Sequence, residues 1–188
     1  MDIIPVEKRN EKAKAKQLRR AGIVPCCVYG GSLSESISIQ MDQQAANKLF
    51  RVKRNGSKVQ LKLEEQIIPV QIKDKTRNFA NNEIEHIGFQ ALKADQKVNS
   101  VAHIILENAD TVAGILEKMQ LEVPYASLPK DMIDTVCVDL EGMRPGTTLT
   151  VGDIPEFRQE TIGLQIAADS MVVRIRDKKR SMTTQAAE

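Results

Sequence analysis

Aromatic residues and cysteines are scarce in this chain of 188 residues, which has no Trp, two Tyr, four Phe and three Cys. Few aromatic rings leave few platforms on which bases or sugars can stack, which argues against a single-strand binder that works mainly by stacking. Cys26 and Cys27 are neighbours and Cys137 is far away, so the spacing fits neither a disulfide framework nor a C-x-x-C metal site. We expect all three to be reduced, small and mostly buried.

Long apolar runs are also missing. No stretch approaches the roughly eighteen consecutive apolar residues that a transmembrane helix needs. The first five residues, Met-Asp-Ile-Ile-Pro, lack the charged-then-apolar order of a signal peptide. These features predict a cytoplasmic protein with no membrane partner.

Residues for catalysis are few. Gly30 and Gly31 fall in neither common phosphate-binding glycine frame. His86 and His103 are the two histidines, and both lie in strand-like stretches without a second ligand at metal spacing. Strict strand alternation would place His86 on the same face as Ile84 and Gly88. The sequence predicts no enzyme, metal, cofactor or small-molecule substrate.

Charge is divided unevenly between the two halves, although the whole chain carries a net charge of only +2. Residues 1–98 contain 18 Lys and Arg against 11 Asp and Glu, a net of +7. Residues 99–188 contain 9 against 14, a net of −5. The basic half is attracted to polyanions and the acidic half is not, which favours a nucleic-acid partner for the first half.

The first half has the pattern of a small β-barrel. After a basic segment that ends at Gly22, period-2 alternation and turn residues predict several short strands, and Asp42 predicts the start of a short helix. The last strand of this half ends near Leu92. The predicted elements are strands at 23–29, 36–41, 58–63, 68–72 and 84–92, and a helix at 43–52.

The second half repeats short strands separated by turns that carry Pro or Gly, an all-β pattern. Its strands are expected at 98–107, 121–125, 135–140, 148–151, 161–166 and 171–175. An amphipathic helix capped by Asp110 is expected to carry Val112, Ile115, Leu116 and Met119. The predicted domains are 1–93 and 94–177, followed by a frayed polar tail at 178–188.

The basic segment at residues 7–20 is the strongest functional signal, with seven Lys or Arg against two Glu and one large apolar residue, Leu18. One interpretation is an ordinary solvated helix surface. The other is a phosphate-binding segment, because each cation can neutralise a phosphate and Arg adds forked donors.

The basic segment leads into Leu18-Arg19-Arg20-Ala21-Gly22, then Pro25, and Tyr29-Gly30 ends a strand. This order of motifs resembles that of the bacterial 5S rRNA-binding ribosomal protein twenty-five family, whose two-domain form is also called general stress protein Ctc. Glu85-His86-Ile87-Gly88-Phe89 resembles the closing strand of the family's barrel. The second half also resembles the Ctc-type domain, at 121–123, 128–133, 136–142 and 149–154.

The resemblance implies a mainly β fold with short helices, in which an N-terminal six-stranded β-barrel is joined to a C-terminal β-rich domain. It implies that the barrel binds the loop E region of 5S rRNA in the large ribosomal subunit. An irregular RNA loop of this kind is recognised through shape, phosphates and exposed base edges. The implied RNA-binding residues are Lys12, Lys14, Lys16, Arg19, Arg20, Tyr29 and His86.

The chain departs from the family's pattern at four positions. Glu7 stands where the family usually carries an Arg, although Arg9 replaces it if the register slips, and Glu11 stands in place of a Gly. Gln17 replaces one of a pair of Arg, and Gly88 replaces an Asp. Glu7 has the largest expected effect, because a carboxylate repels phosphates.

Three functional hypotheses follow. The leading one is a non-enzymatic RNA-binding protein of the large ribosomal subunit, or a stress-related form of it. The alternative is a divergent paralogue that acts as a protein-interaction module, with weakened or lost 5S rRNA binding. An enzyme comes third, and would need a pocket that holds His86 or His103 against a carboxylate. No partner is assigned to the acidic half.

Overall fold

The structure is a computed structural model that describes residues 3–31 and 33–177. Ser32, and the polar tail expected at 178–188, lie outside the described residues. The chain forms two compact units. Among the described residues, the first unit contains those up to Ser100 together with Leu128–Met132, and the second contains Val101–Ser127 and those from Ile133 to Asp177.

The first unit is built on a closed barrel of six strands, which confirms the predicted mainly β fold and its barrel. Around the barrel the strands run β1, β3, β2, β6, β5 and β4. The pairs β1–β4 and β2–β6 are parallel and the others are antiparallel. The strands are β1 (Ile3–Lys8), β2 (Ile23–Tyr29), β3 (Ile37–Asp42), β4 (Lys58–Leu63), β5 (Gln66–Arg77) and β6 (Ile84–Ala91).

Two helices accompany the barrel, α1 (Ala15–Arg20) and α2 (Gln43–Val52). α2 starts where Asp42 predicts it, because the Asp42 carboxylate accepts a hydrogen bond from the N–H of Gln44 over 2.8 Å. α1 ends before Gly22, whose φ of 75° is the left-handed conformation expected after a helix. Alternate side chains of the strands fill the barrel, and the largest fully buried ones include Ile39, Leu61, Ile72, Ile87 and Phe89.

The expectation that all three cysteines are mostly buried needs correction. Cys26 is buried, Cys27 is half-buried and Cys137 is exposed. Turns also join the elements of the first unit: Asn55-Gly56 lies between α2 and β4, and a two-residue hairpin at Glu64-Glu65 joins β4 to β5.

The second unit contains two small sheets with their own apolar core. β10 (Thr135–Asp139), β7 (Val98–Glu107), β9 (Glu122–Ser127) and β12 (Gly163–Leu164) form one sheet. β11 (Thr148–Thr150), β13 (Met171–Arg176) and β8 (Ile115–Lys118) form the other. The largest residue of its core is Tyr125, whose hydroxyl donates to the carbonyl of Ile133 over 2.8 Å. Short 3₁₀ turns lie at Ala109–Thr111, Val151–Asp153 and Pro155–Arg158.

The helix expected after Asp110 is absent from the described residues, which makes that prediction wrong. Its place is taken by a 3₁₀ turn and by β8, which pairs antiparallel with β13. Gly114 lies between them, where an added Cβ would come within 2.6 Å of the carbonyl oxygen of Arg176. Apolar spacing that suits a helix was overridden by strand pairing in the tertiary fold.

Candidate nucleic-acid interface

The basic segment folds as a turn followed by the six-residue helix α1. Leu18 is the buried residue of this helix, with a relative exposure of 5%. Gln17, a position where the family favours Arg, completes the start of the helix, because its Oε1 accepts the N–H of Lys14 over 3.0 Å. Burial of one side of α1 leaves its cations on the other side.

Four of the implied RNA-binding residues are exposed cations of this segment. Lys12 lies in the turn before α1, Lys14 caps the helix, and Lys16 and Arg20 lie on it. Within the described residues none of the four forms an ion pair. Cations without a partner in the protein lose little when they bind phosphates, because no existing pair has to be broken.

Arg19 differs from these four because it is half-buried and bonded to the barrel. Its Nη1 donates to the backbone carbonyl of Glu85 in β6 over 3.4 Å. Glu85 directly precedes His86 in the chain. The bond therefore places the guanidinium of Arg19 beside the strand that carries His86.

A bulge in β6 corrects the predicted orientation of His86. His86 lies opposite Thr76 of β5, whereas Ile84 lies opposite Arg77, so the register shifts between the two pairs. Ile84 is buried inside the barrel and His86 is half-buried on its outer side. Extra residues in one strand reverse the alternation that the sequence pattern assumes.

Strand pairing defines one outer face of the barrel around Gly88. Cys27 of β2 pairs with Ser38 of β3 on one side and with Gly88 of β6 on the other. Gly88 in turn lies opposite Asp74 of β5. Tyr29, with a relative exposure of 38%, lies one repeat along β2 from Cys27. The middle of this face is lined by small side chains, with larger polar groups on either side.

The carboxylate of Asp74 contributes to the electrostatic environment of both Tyr29 and His86. The pKa of His86 is lowered mainly by burial; Asp74 opposes this shift and Arg9 adds to it. The pKa of Tyr29 is raised by burial, and Cys27 and Asp74 raise it further. At neutral pH both side chains are therefore uncharged and can donate and accept hydrogen bonds.

Arg9 and Asp74 belong to this face although neither is among the implied RNA-binding residues. The N–H of Arg9 continues the pairing of β1 with β3, donating to the carbonyl of Ser38 over 3.1 Å. The Nε of Arg9 is buried and makes no hydrogen bond within the described protein. The two-residue interval between Glu7 and Arg9 in a strand was the sequence signal for Arg9, whereas Asp74 could be found only from the strand register.

The departures at Glu7 and Gly88 have clear structural settings. Glu7 lies opposite Gln40, and its Oε2 accepts a hydrogen bond from Gln40 Nε2 over 3.2 Å. A Cβ added at Gly88 would meet Asp74 Cβ at 3.7 Å and His86 Cε1 at 3.9 Å, which are ordinary contacts. The face thus tolerates a Cβ at position 88, and at position 7 a carboxylate stands where the family usually has an Arg.

The described residues give little support for an enzyme active site, a metal site or a membrane-spanning helix. His103 of the second unit is buried, with its Nδ1 3.6 Å from Glu122 Oε1. Over residues 3–31 and 33–177 no cluster of three or more His, Cys, Asp or Glu could hold a metal ion. The same residues include no helix long and apolar enough to cross a membrane.

The fold and this face define a β-barrel protein suited to bind a polyanion that also exposes hydrogen-bonding groups. Its family follows from comparison with known sequences: the model of the Ribosomal L25p family matches residues 4–89. The chain is 30% identical to the large ribosomal subunit protein bL25 of Methylobacillus flagellatus, across 80% of this chain and 77% of that protein. It is 24% identical to bL25 of Nitrosomonas europaea, across 92% of this chain and 90% of that protein.

The chain therefore belongs to the Ribosomal L25p family. Members of this family are structural proteins, which confirms the prediction that the chain is not an enzyme. The family model covers nearly all of the barrel, and the alignment with Nitrosomonas europaea bL25 extends over most of the chain.

Proposed function

We propose that this chain is a ribosomal protein of the large subunit that binds the loop E region of 5S rRNA through α1 and the outer face of β2 and β6. Membership in the Ribosomal L25p family supports the ribosomal assignment. The net charge of +7 in residues 1–98 supports an RNA partner for the barrel. A cytoplasmic location follows from this role.

The observation that carries the proposal is the convergence of three implied RNA-binding residues. Arg19 bonds to the strand that carries His86, and Tyr29 and His86 lie on the same outer face, on opposite sides of the Cys27–Gly88 pair. Chemically different groups, a guanidinium, a phenol and a neutral imidazole, thus share one side of the barrel. Such a set suits an RNA loop whose phosphates and base edges are exposed together.

The parts of the site have separate roles. Lys12, Lys14, Lys16 and Arg20 bind phosphates and release counterions, which gives affinity without sequence preference. Tyr29 and His86 form directional hydrogen bonds to base edges or to 2′-hydroxyl groups. Arg19 and Arg9 present planar guanidinium groups beside that region, which can bind two acceptors at once.

A titration of the full-length protein with a 5S rRNA loop E fragment and with an unrelated RNA hairpin of equal length, at two salt concentrations, tests the proposal. We expect tighter binding to the loop E fragment and an affinity that falls steeply with salt. Equal affinity for the two RNAs contradicts specific 5S rRNA recognition. A shallow salt dependence contradicts the phosphate contacts.

The matched control is a cation on the far side of the barrel. Lys62 is exposed on β4, which lies three strands from β2 around the ring in either direction. Lys14→Ala and Lys16→Ala should each weaken binding and reduce the salt slope by about one. Lys62→Ala, which removes the same charge, should leave both nearly unchanged.

A second candidate function is that of a protein-interaction module with weakened RNA binding, favoured by the carboxylate of Glu7 on β1 and the missing side chain at Gly88. Partners that remain bound after nuclease treatment support it, and loss of all partners after nuclease contradicts it. A stress-related role belongs to the first proposal, that of a ribosomal protein, and is tested by the protein's abundance on ribosomes before and after stress.

A further inference from the structure

The loop between β5 and β6 presents a phenylalanine to solvent. Phe79 is fully exposed, with a relative exposure of 102%. The other aromatic side chains of the described residues are packed or partly covered, except Tyr29. Phe89, Phe157 and Tyr125 are buried, and Phe50 is covered by cations. The two open aromatic side chains of a chain poor in aromatics thus both belong to the barrel unit.

The loop that carries Phe79 is held in shape by hydrogen bonds centred on Asn78. The N–H of Asn78 donates to the carbonyl of Glu83, and its own carbonyl accepts the N–H of Asn82, each over 2.8 Å. Asn78 Oδ1 accepts the N–H of Ala80 over 2.9 Å, and its Nδ2 donates to Glu85 Oε1 over 3.0 Å. One side chain and its backbone therefore fix both ends of the loop.

Arg77 ties the same loop to the body of the barrel. Its Nη1 donates to Asn82 Oδ1 over 3.0 Å, and its Cζ lies 4.1 Å from the centre of the Phe50 ring. Asn82 itself adopts a left-handed backbone with φ of 59°, which Asn tolerates better than most residues. A loop ordered in this way loses little conformational entropy on binding. Most of the free energy of a contact made by its tip therefore contributes to affinity.

Glu85 joins this loop to the candidate RNA-binding face. Its carboxylate accepts a hydrogen bond from Asn78, and its backbone carbonyl accepts the one from Arg19. Phe79 therefore lies beyond the end of β6 where Arg19 and His86 are found. Tyr29 pairs with Gln90 near the other end of the same strand. The two exposed aromatic rings therefore lie toward opposite ends of the face and not at its centre.

We propose that Phe79 stacks on an exposed base of the bound RNA at the Arg19 end of the interface. This inference rests on the proposed RNA-binding function and adds a contact that phosphates cannot provide. A neutral ring on an ordered tip has a rigid π-face, and any of the four bases can stack on it. Arg77 is bonded within this loop and Arg19 is joined to it through Glu85, and their positive charges favour a polyanion such as a nucleic acid as the occupant of this edge.

Titration of the full-length protein with the 5S rRNA loop E fragment tests the stacking contact. Phe79→Ala should weaken binding about tenfold, within the range found for removal of a stacked base contact. The salt slope should stay unchanged because no phosphate contact is lost. Phe79→Tyr should retain the affinity, whereas Phe79→Leu, which keeps apolar volume without a π-face, should lose most of it.

Two controls separate stacking from general effects. Ile67→Ala removes another exposed apolar side chain, with a relative exposure of 52%, and should not change RNA affinity. A scan of abasic nucleotides through loop E should find one position whose loss weakens the wild-type protein but hardly affects Phe79→Ala. All variants should melt at the wild-type temperature, since Phe79 makes no buried contact.

The outcomes distinguish this inference from the function on which it rests. If the wild-type protein does not prefer the 5S rRNA fragment, the proposed function fails and stacking fails with it. If the wild type prefers the fragment and Phe79→Ala binds equally well, stacking alone is overturned. Wild-type affinity of Phe79→Leu also overturns it, as does loss of a nuclease-resistant protein partner in Phe79→Ala without loss of RNA affinity.

Discussion

Arg19 Nη1 donates to the carbonyl of Glu85 over 3.4 Å, which links α1 to the strand that carries His86. The bond is long for a charged donor, so it positions the helix more than it stabilises the fold. It also leaves other donors of the guanidinium available to a ligand. Arg19 is therefore the residue where the cationic segment meets the neutral polar face.

Substitution of Arg19 should weaken RNA binding more than it weakens the fold. We expect Arg19→Ala to reduce affinity for the 5S rRNA fragment at least tenfold, about 1.4 kcal/mol. Arg19→Lys should recover only part of it, because an ammonium lacks the planar fork. Titration together with thermal unfolding checks this, and full recovery by Lys would show that charge alone matters.

Leu18→Ala should impair RNA binding without removing any RNA contact. Leu18 is the buried residue of α1, and its truncation should cost about 2–3 kcal/mol of local stability. α1 would then dock less firmly and hold its cations less well. Hydrogen exchange of the α1 amides should accelerate while that of β6 stays slow, and RNA affinity should fall. Unchanged affinity with a loosened α1 would contradict the role of the docked helix.

Glu7→Arg should strengthen RNA binding, because it removes a repelling carboxylate and restores the charge that the family usually has there. The slope of log affinity against log salt concentration should become steeper by the amount expected for one to two further phosphate contacts. Each contact contributes about −0.9 to that slope for a duplex. Glu65→Arg makes the same charge change at the exposed β4–β5 turn and serves as the control. If Glu65→Arg strengthened binding as much as Glu7→Arg, the effect would come from net charge and not from position 7.

Acidification should destabilise the protein partly through His86. Its pKa is lower in the folded protein than its ordinary value, so between the two values the unfolded chain binds more protons and stability rises with pH. The contribution is present above the ordinary pKa of about 6.5 and is lost as pH falls through the folded value. Thermal unfolding from pH 7 to pH 5 should show a smaller decrease for His86→Gln than for wild type. An equal decrease in both proteins would contradict this linkage.

Gly114→Ala should destabilise the second unit and leave RNA binding intact. The added Cβ would lie 2.6 Å from the carbonyl oxygen of Arg176 and 2.8 Å from Ile175 Cγ2, and such overpacking costs about 1–3 kcal/mol. Because the candidate site belongs to the barrel, affinity for the 5S rRNA fragment should not change at temperatures where both units are folded. Thermal unfolding and titration of the same sample test both statements.

Local signals were sufficient to predict several elements of the fold. The bounds of β2 and α2 follow from Gly22 and Asp42, whose effects on helix ends are local. The segment around Ile115 was predicted wrongly, because its apolar spacing fits a helix while its pairing partner, β13, lies far along the chain. Long-range pairing leaves no mark in a short window of sequence.

The candidate site, like the fold, could be predicted where the signal is local and not where it depends on long-range strand pairing. The cations of α1 could be recognised as a cluster because they are adjacent in sequence, and the motif order pointed to Tyr29 and His86. The face that His86 occupies could not be predicted, since it depends on a bulge opposite Thr76 and Arg77. Asp74 was missed because only the register of β5 against β6 places it beside Gly88.

A map of amide chemical-shift changes, recorded when the 5S rRNA loop E fragment is added to the full-length protein, tests most directly whether the RNA binds to α1 and the outer face of β2 and β6. We expect the largest changes in α1, at the Tyr29 end of β2 and from Glu85 to Gln90 in β6. Small changes are expected in β4 and in the second unit. Changes centred on β4 or on the second unit, with α1 and β6 unaffected, would contradict binding through this face.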